Sequence, residues 1–304
     1  MLRYILHRLA QSVLVMFGVS LLIFYSLHLT GDPAAVMMPP GSSQQEMENF
    51  RHSMGFDRSL TWQYWHYLTG VLQGDMGESL RYSQPVTELI SQRVPATLLL
   101  AVTALAWSTL AGLLLGILSA LRQNTLWDLF ARLLAFSGQA VPVFWLGLLL
   151  IIVFSLNLRW LPSGGYGSAS QLVMPALSLG AYYMSAIARL IRASLIDVLQ
   201  QDYIRTARAK GLSQWRVVVR HGLRNALIPV ITVQGMYFAS LLGGALVTEI
   251  IFAWPGIGRL AVQAIQNRDF PLVQAIVLLA ALVFVGINLI IDLLYVVLNP
   301  RIRL

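Results

Sequence analysis

The chain has 304 residues, 57% hydrophobic and only 11% charged, with a formal net charge of +8 and no cysteine. Soluble domains carry about 25% charged residues, so this composition and a mean hydropathy of +0.68 exclude a water-soluble globule or a disordered chain and make lipid the main solvent. Without cysteine there is no disulfide, thiolate metal site or cysteine nucleophile.

A helix crossing about 30 Å of hydrocarbon needs about 20 apolar residues, and a charge at its centre is costly. Six charge-free runs of at least 22 residues occur, at 9–31, 94–121, 133–158, 160–188, 225–248 and 270–291. Trimmed to their apolar cores, they predict helices at 9–29, 97–120, 133–156, 173–193, 227–249 and 273–297. Stretches such as 146–154 are apolar throughout, unlike the alternating strands of a barrel. The expected fold is an all-α integral membrane protein of six transmembrane helices. Arg3 and Arg8 before the first run resemble a signal peptide. The run is too long for one and no small-x-small cleavage site follows, so it is read as a retained span.

The chain divides by this reading into residues 1–30, an extracytoplasmic segment 31–96 and a five-helix core 97–304. Gly31-Asp32-Pro33 ends the first span. Ser43-Gln44-Gln45-Glu46 fits a capping box, predicting a helix from 44 to about 54 that Gly55 closes in a left-handed conformation. A second helix, Leu60 to Gln73, carries Trp62, Tyr64, Trp65 and Tyr67. These aromatics suit the headgroup level, either as a layer packed over helix ends or as a docking surface for an extracytoplasmic partner.

Within the core, Gly112 and Gly116 are a small-xxx-small pair suited to helix packing. Gln139 with Pro142 is expected to break the third span. The fifth span carries Gln234 and Gly235, then Ala239, Ser240, Gly243 and Gly244, which permit close packing or leave room for a solute. Glu249 at its outer end has three candidate partners: a solute amine, Arg259 or another subunit. Asn288 and Asp292, one turn apart, suit a structural hydrogen-bonding role.

Between the fourth and fifth spans, residues 197–226 form a basic segment. Asp202–Lys210 reads as helix, Gly211 is placed to reverse the chain, and Ser213 can cap a second short helix. There Arg216, Arg220 and Arg224 fall four apart as one basic stripe, with Trp215, Val218, Val219 and Leu223 on the remaining sides. The stripe alone is explained by anionic lipid; the apolar residues need a partner or a bundle to bury them.

With the N-terminus inside, the cytoplasmic pieces hold 14 Lys/Arg and the outer pieces 7. This bias places both termini in the cytoplasm.

Arg205-Thr206-Ala207, three residues, Gly211, nine residues and His221-Gly222-Leu223-Arg224 resemble the cytoplasmic loop of ATP-binding-cassette importer permeases, E-A-A-x3-G-x9-I-x-L-P. The spacing is kept, while Arg205, His221 and Arg224 replace Glu, Ile and Pro. Those departures resemble the dipeptide, oligopeptide and nickel permease branch, where R-T-A-R-A-K-G and H-x-L-R-N are typical. The resemblance extends over nearly the whole chain, through Met1-Leu2-Arg3-Tyr4-Ile5, Gly31-Asp32-Pro33, Gly74-Asp75-Met76-Gly77-Glu78-Ser79, Pro95-Ala96-Thr97-Leu98, Phe252-Ala253-Trp254-Pro255-Gly256-Ile257-Gly258-Arg259 and Asn299-Pro300-Arg301-Ile302-Arg303. The long segment after the first span is similar to the "B"-type subunit.

The resemblance implies a type I importer permease in a bacterial inner membrane. Its partners would be a homologous permease, two ATPases carrying ATP and Mg2+, a solute-binding protein and membrane lipid. It also implies an ATPase-coupling role for Arg205, Thr206, Ala207, Arg208, Gly211, Trp215, Arg216, Arg220, His221, Leu223 and Arg224. Pathway candidates are Gln139, Pro142, Gln234, Ser240, Gly243, Gly244 and Glu249; candidates for binding-protein docking are Trp62, Trp65, Tyr67, Trp254 and Arg259. The implied cargo is a peptide or similar solute, with nickel or a metal chelate as the alternative.

No G-x-x-x-x-G-K-[ST] loop occurs, so no ATP site, cofactor or catalytic residue is expected on this chain. The five histidines show no metal-ligand spacing. A secondary transporter would need an intramembrane ion site, for which Glu249 and Asp292 are thin material, and no filter-like loop of a channel is visible. On this reading the +8 charge is no nucleic-acid footprint.

Overall fold

The computed structural model describes residues 2–29, 34, 35, 38 and 41–298. It is helical, and among the described residues extended pairing is confined to the bridge between Glu78 and Pro85. The chain forms two compact units, one from the described parts of 1–95 and 256–304, the other from 96–255.

In the first unit, α1 (Leu2–Leu29) packs along α13 (Phe270–Leu298). Helix α2 (Gln44–Met54) starts with the expected box: Ser43 Oγ accepts from the Glu46 amide at 3.3 Å and Glu46 accepts from the Ser43 amide at 2.8 Å. Gly55 ends it at φ +70. Helix α3 (Leu60–Leu72) is capped by Ser59 and reaches α1 through Tyr64, whose hydroxyl lies 2.9 Å from Ser20 Oγ and whose ring meets Phe24 edge-on. Buried Asp269 accepts from Ser79 Oγ and from the amide of Leu272 at 3.4 Å, capping α13. Below it Val86, Leu89 and Ile90 pack with Leu260 and Ala264 of α12 (Ile257–Gln266) and with Leu272, Ala275 and Ile276 of α13.

Helix α4 (Val86–Leu121) begins in that unit and from Ala96 belongs to the second. The second unit continues with α5 (Leu126–Ala140), α6 (Val143–Asn157), α7 (Ala169–Leu199), α8 (Asp202–Ala209), α9 (Gln214–Ala226), α10 (Ile228–Gly244) and α11 (Leu246–Ile251). Its centre is α7, which packs against α5, α6, α10 and the end of α9. Two clusters meet there. One joins Leu100 and Ala104 to Leu179, Leu241 and Trp254; the other joins Ala120 to Ile187, Ile191, Leu195, Ala226 and Val230.

Close approach to α7 depends on small residues. A Cβ at Gly112 would lie 2.8 Å from the Met184 carbonyl and 2.9 Å from Ile187, and Gly116 faces Ala188 and Ile191 in the same way. Gly138 of α5 meets Ala181 and Ser185.

Three described helices are long and apolar enough to cross a membrane: residues 6–26, 86–121 and 270–291. The count reaches five if each of two bent pairs is one span. The third expected span is α5 plus α6, bent by 105°. The break falls at Pro142, which lacks an N–H and holds Val141 in an extended conformation, φ −89 and ψ 123. The other bent pair, α9 and α10, turns by 50° where the fifth expected span begins, with Pro229 in the first turn of α10; the expected span itself corresponds to α10 and α11.

The structure also moves boundaries. Helix α4 starts at Val86 rather than 97, because Glu88 and Arg93 break the charge-free run without breaking the helix and Pro95 is accommodated inside it. The ten-residue α12 was not expected from the charge gaps, being too short to need one. Gly31-Asp32-Pro33 and Asn299–Arg303 lie outside the described residues.

Gly112→Val is expected to lower stability by about 1–3 kcal/mol through overpacking. In thermal unfolding of the purified protein it should melt below wild type, whereas Gly18→Ala, which meets nothing within 4 Å, should not.

Candidate functional site

The basic segment folds as a helical hairpin. In α8, Thr206 donates to the Asp202 carbonyl at 3.0 Å, and Arg205 pairs with Asp202 at 3.5 Å in full view of solvent, a contact of little energetic weight. Gly211 reverses the chain at φ +76 with open space around its Cβ position, so the backbone angle and not crowding requires glycine. Ser213 precedes α9 in the extended conformation of a cap, but its side chain makes no capping bond; its carbonyl accepts from Val217 at 3.0 Å.

Ala207 is buried in a small core with Ile204 and Val217, with Leu199 and Leu212 packed around it. Its small size therefore closes the hairpin on itself. Residues Val217–Gly222 are wound as π-helix, closed by Leu223 N–H to Val218 O. With i→i+5 bonding, residues four apart fall short of a full turn, so the stripe of Arg216, Arg220 and Arg224 is skewed rather than straight. The hairpin has one tie the sequence did not suggest: Asn225 Nδ2 donates to Tyr203 Oη at 2.8 Å.

What the hairpin shows to solvent is basic and aromatic. Trp215 is 72% exposed; Arg205, Arg208, Arg216, Arg220 and Arg224 are also exposed, while His221 and Leu223 are half-buried. Its base is continuous with α7. A Cβ at Gly222 would lie 3.3 Å from Leu195, and Ala226 shares the cluster of Ile191 and Leu195.

A second polar assembly, unremarked in the sequence, lies between α4, α5 and α7. Asp128 is fully buried and accepts from Ser119, from Arg192 Nε at 3.2 Å and Nη2 at 3.3 Å, and from the Asn124 amide at 3.1 Å. Arg132 adds a contact at 3.3 Å. The one local signal was Thr125, whose hydroxyl caps α5 through the Asp128 amide.

The pathway candidates separate. Gln139, Pro142 and Ser240 are exposed; Ser240 Oγ accepts from Tyr183 at 3.1 Å. Gln234 donates to Thr109 at 2.7 Å. Gly243 and Gly244 end α10. Glu249 is fully buried, accepting from Thr97 at 2.8 Å.

Of the outer candidates, Trp62 and Trp65 are exposed, with His66 stacked on Trp62. Tyr67 turns inward beside Phe24, where burial pushes its phenol up to about 12. Trp254 is 1% exposed and donates to the Ala96 carbonyl at 2.9 Å, which holds it in the core rather than at a docking surface. Arg259 is half-buried on α12. His52 pairs with Asp57 at 2.8 Å, and that hydrogen bond holds the Asp57 carboxyl below its usual range. Among the described residues no three His, Asp or Glu side chains gather as a metal site.

Asp128→Ala would leave Arg192, whose side chain keeps 28% exposure, without its carboxylate. The cost expected is about 2 kcal/mol, below that of a fully buried pair, read as a lower thermal midpoint. Adding Arg192→Met should cost little more, a coupling that a double-mutant cycle measures.

Comparison with known proteins adds the following. A family described as "Binding-protein-dependent transport system inner membrane component" matches residues 112–304, and its N-terminal companion matches 1–101. The glutathione transport system permease protein GsiC of Escherichia coli (strain K12) is 45% identical over 304 residues, covering 100% of this chain and 99% of its own. GsiC of Salmonella typhimurium gives the same figures. Among solved structures, an amino acid ABC transporter aligns with a TM-score of 0.54 at 17% identity over 68% of this chain and 93% of its own. The MetNI methionine ABC transporter aligns at 0.53 and 19%, over 67% and 95%. Both show the fold.

Proposed function

The chain belongs to the inner-membrane components of binding-protein-dependent transport systems, and from that membership we propose how this permease subunit of an ABC importer works. It crosses the inner membrane six times with both termini in the cytoplasm. The fourth crossing, added to the five that length and composition allow, is α7, whose 31 residues extend about 46 Å, and the excess of Lys/Arg on the inner pieces sets the direction.

The observation that carries the mechanism is the exposed basic face of the hairpin standing on a buried core shared with α7. Arg205, Arg208, Arg216, Arg220 and Arg224 meet acidic residues on an ATPase, with Trp215 as the apolar anchor. The Ile204–Ala207–Val217 core keeps the hairpin rigid. Leu195 and Ala226 pass its displacement to α7 and α10. ATP with Mg2+ binds on two partner ATPases, and a second, homologous permease supplies the other half of the passage. This chain contributes no ATPase chemistry. Transport then requires two global states that ATP and the loaded binding protein bias differently.

Ser240, Tyr183, Gln234 and Thr109 offer uncharged hydrogen-bonding groups, which suit a peptide-like solute selected by the binding protein. Two relatives named as glutathione permeases support a cargo of that chemistry. Trp62 and Trp65 serve as the docking surface of the outer segment.

Arg216→Glu with Arg220→Glu is expected to lower ATP-driven uptake at least about tenfold, since like charges brought to contact distance cost several times thermal energy, while membrane insertion stays intact. Wild-type uptake in an inserted, correctly assembled complex would sink the coupling assignment. For the cargo, mass spectrometry of ligands that copurify with the binding protein should find a small peptide; a metal chelate would redirect the reading.

A further inference from the structure

The transport reading leaves unused a groove of about 440 Å³ in the second unit, between α4, α5 and α7. Leu129, Leu133 and Phe136 line it from α5, spaced to share one helix face and all strongly exposed. Three arginines, Arg132, Arg189 and Arg192, line it as well, and no acidic side chain does. Asp128 lies fully buried behind two of them, anchoring Arg192 through Nε and Nη2 and Arg132 through Nε. Each guanidinium has five donors, more than Asp128 and Ser119 take up. Arg189 has no carboxylate partner among the described residues.

One carboxylate against three guanidiniums leaves the groove positively charged, and an exposed apolar wall continues from it. Paired N–H groups of arginine match phosphate oxygens, and basic pockets between helices on the cytoplasmic side suit anionic headgroups. We propose that the groove holds an anionic phospholipid of the inner leaflet. Its phosphate meets Arg132 and Arg189, and one acyl chain lies along Leu129, Leu133 and Phe136. Arg192 and Asp128 position the site. The proposal rests on the orientation given above, which places the start of α5 and the end of α7 toward the cytoplasm.

The test uses the assembled importer in vesicles of phosphatidylcholine doped with a photoactivatable phosphatidylglycerol or, in parallel, a photoactivatable phosphatidylcholine. Labelled peptides are mapped by mass spectrometry. The expected result is labelling of α5 and α7 by the phosphatidylglycerol probe, reduced about tenfold in Arg132→Gln/Arg189→Gln. Both side chains are exposed and Asp128 keeps Arg192, so that variant should retain its thermal midpoint; should it not, Arg189→Gln alone is read against the same probes. Equal labelling by the two headgroups, unchanged labelling in a stable variant, or suppression by inorganic phosphate or by transported solute would overturn the proposal. So would absence of label on α5 and α7 because the partner permease covers the groove. Uptake is scored on the same vesicles. Labelling without uptake would count against the importer reading alone, and uptake without labelling against the lipid site alone.

Discussion

A helix that carries Arg189 and Arg192 and still runs through the middle of a membrane protein has to be shielded by its neighbours, since hydrocarbon offers no partner to a charge or an unpaired polar group. Helix α7 meets that constraint in two ways. Its apolar stripe of Met174, Leu179, Ile187, Ile191 and Leu195 is buried, and Gly112, Gly116 and Gly138 let the surrounding backbones come close enough to enclose it. In its C-terminal half Asp128 and Ser119 take the guanidinium of Arg192. The hairpin after α7 inherits a fixed base from this enclosure, because Gly222 and Ala226 pack on the same helix.

Much of the fold was legible because lipid punishes charge so evenly. The gaps between charges located every long helix, and Pro142 announced the break that bends α5 against α6 by 105°. The capping box at Ser43 and the left-handed Gly55 and Gly211 were readable for a related reason: each is a local backbone requirement written in one or two residue types.

What escaped was long-range. Asp128 belongs to no sequence motif, and only the fold sets it against Arg192, 64 positions away. Trp254 and Tyr67 read as outer-surface aromatics, yet the first is sealed in the core by a hydrogen bond to Ala96 and the second is turned toward Phe24. Aromatic residues carry large apolar area with a polar tip, so composition alone does not say whether such a ring faces inward or outward. The π-winding of α9 left no trace in the pattern either, though it sets the angles at which Arg216, Arg220 and Arg224 leave the helix.

The makeup of α7 also bears on how the protein is made. It is not among the helices apolar enough to pass as a span by composition, so the bilayer alone gives it a weak reason to leave the insertion machinery. The segments that cover it on one side, α4 through α6, precede it in the chain and are synthesised first. Their glycine faces and the waiting carboxylate of Asp128 offer a docking surface to the emerging helix. On the proposed six-span topology, entry of α7 into the membrane becomes a folding event, guided by chain already in place, and the order of the helices along the sequence is part of what makes the arginines tolerable.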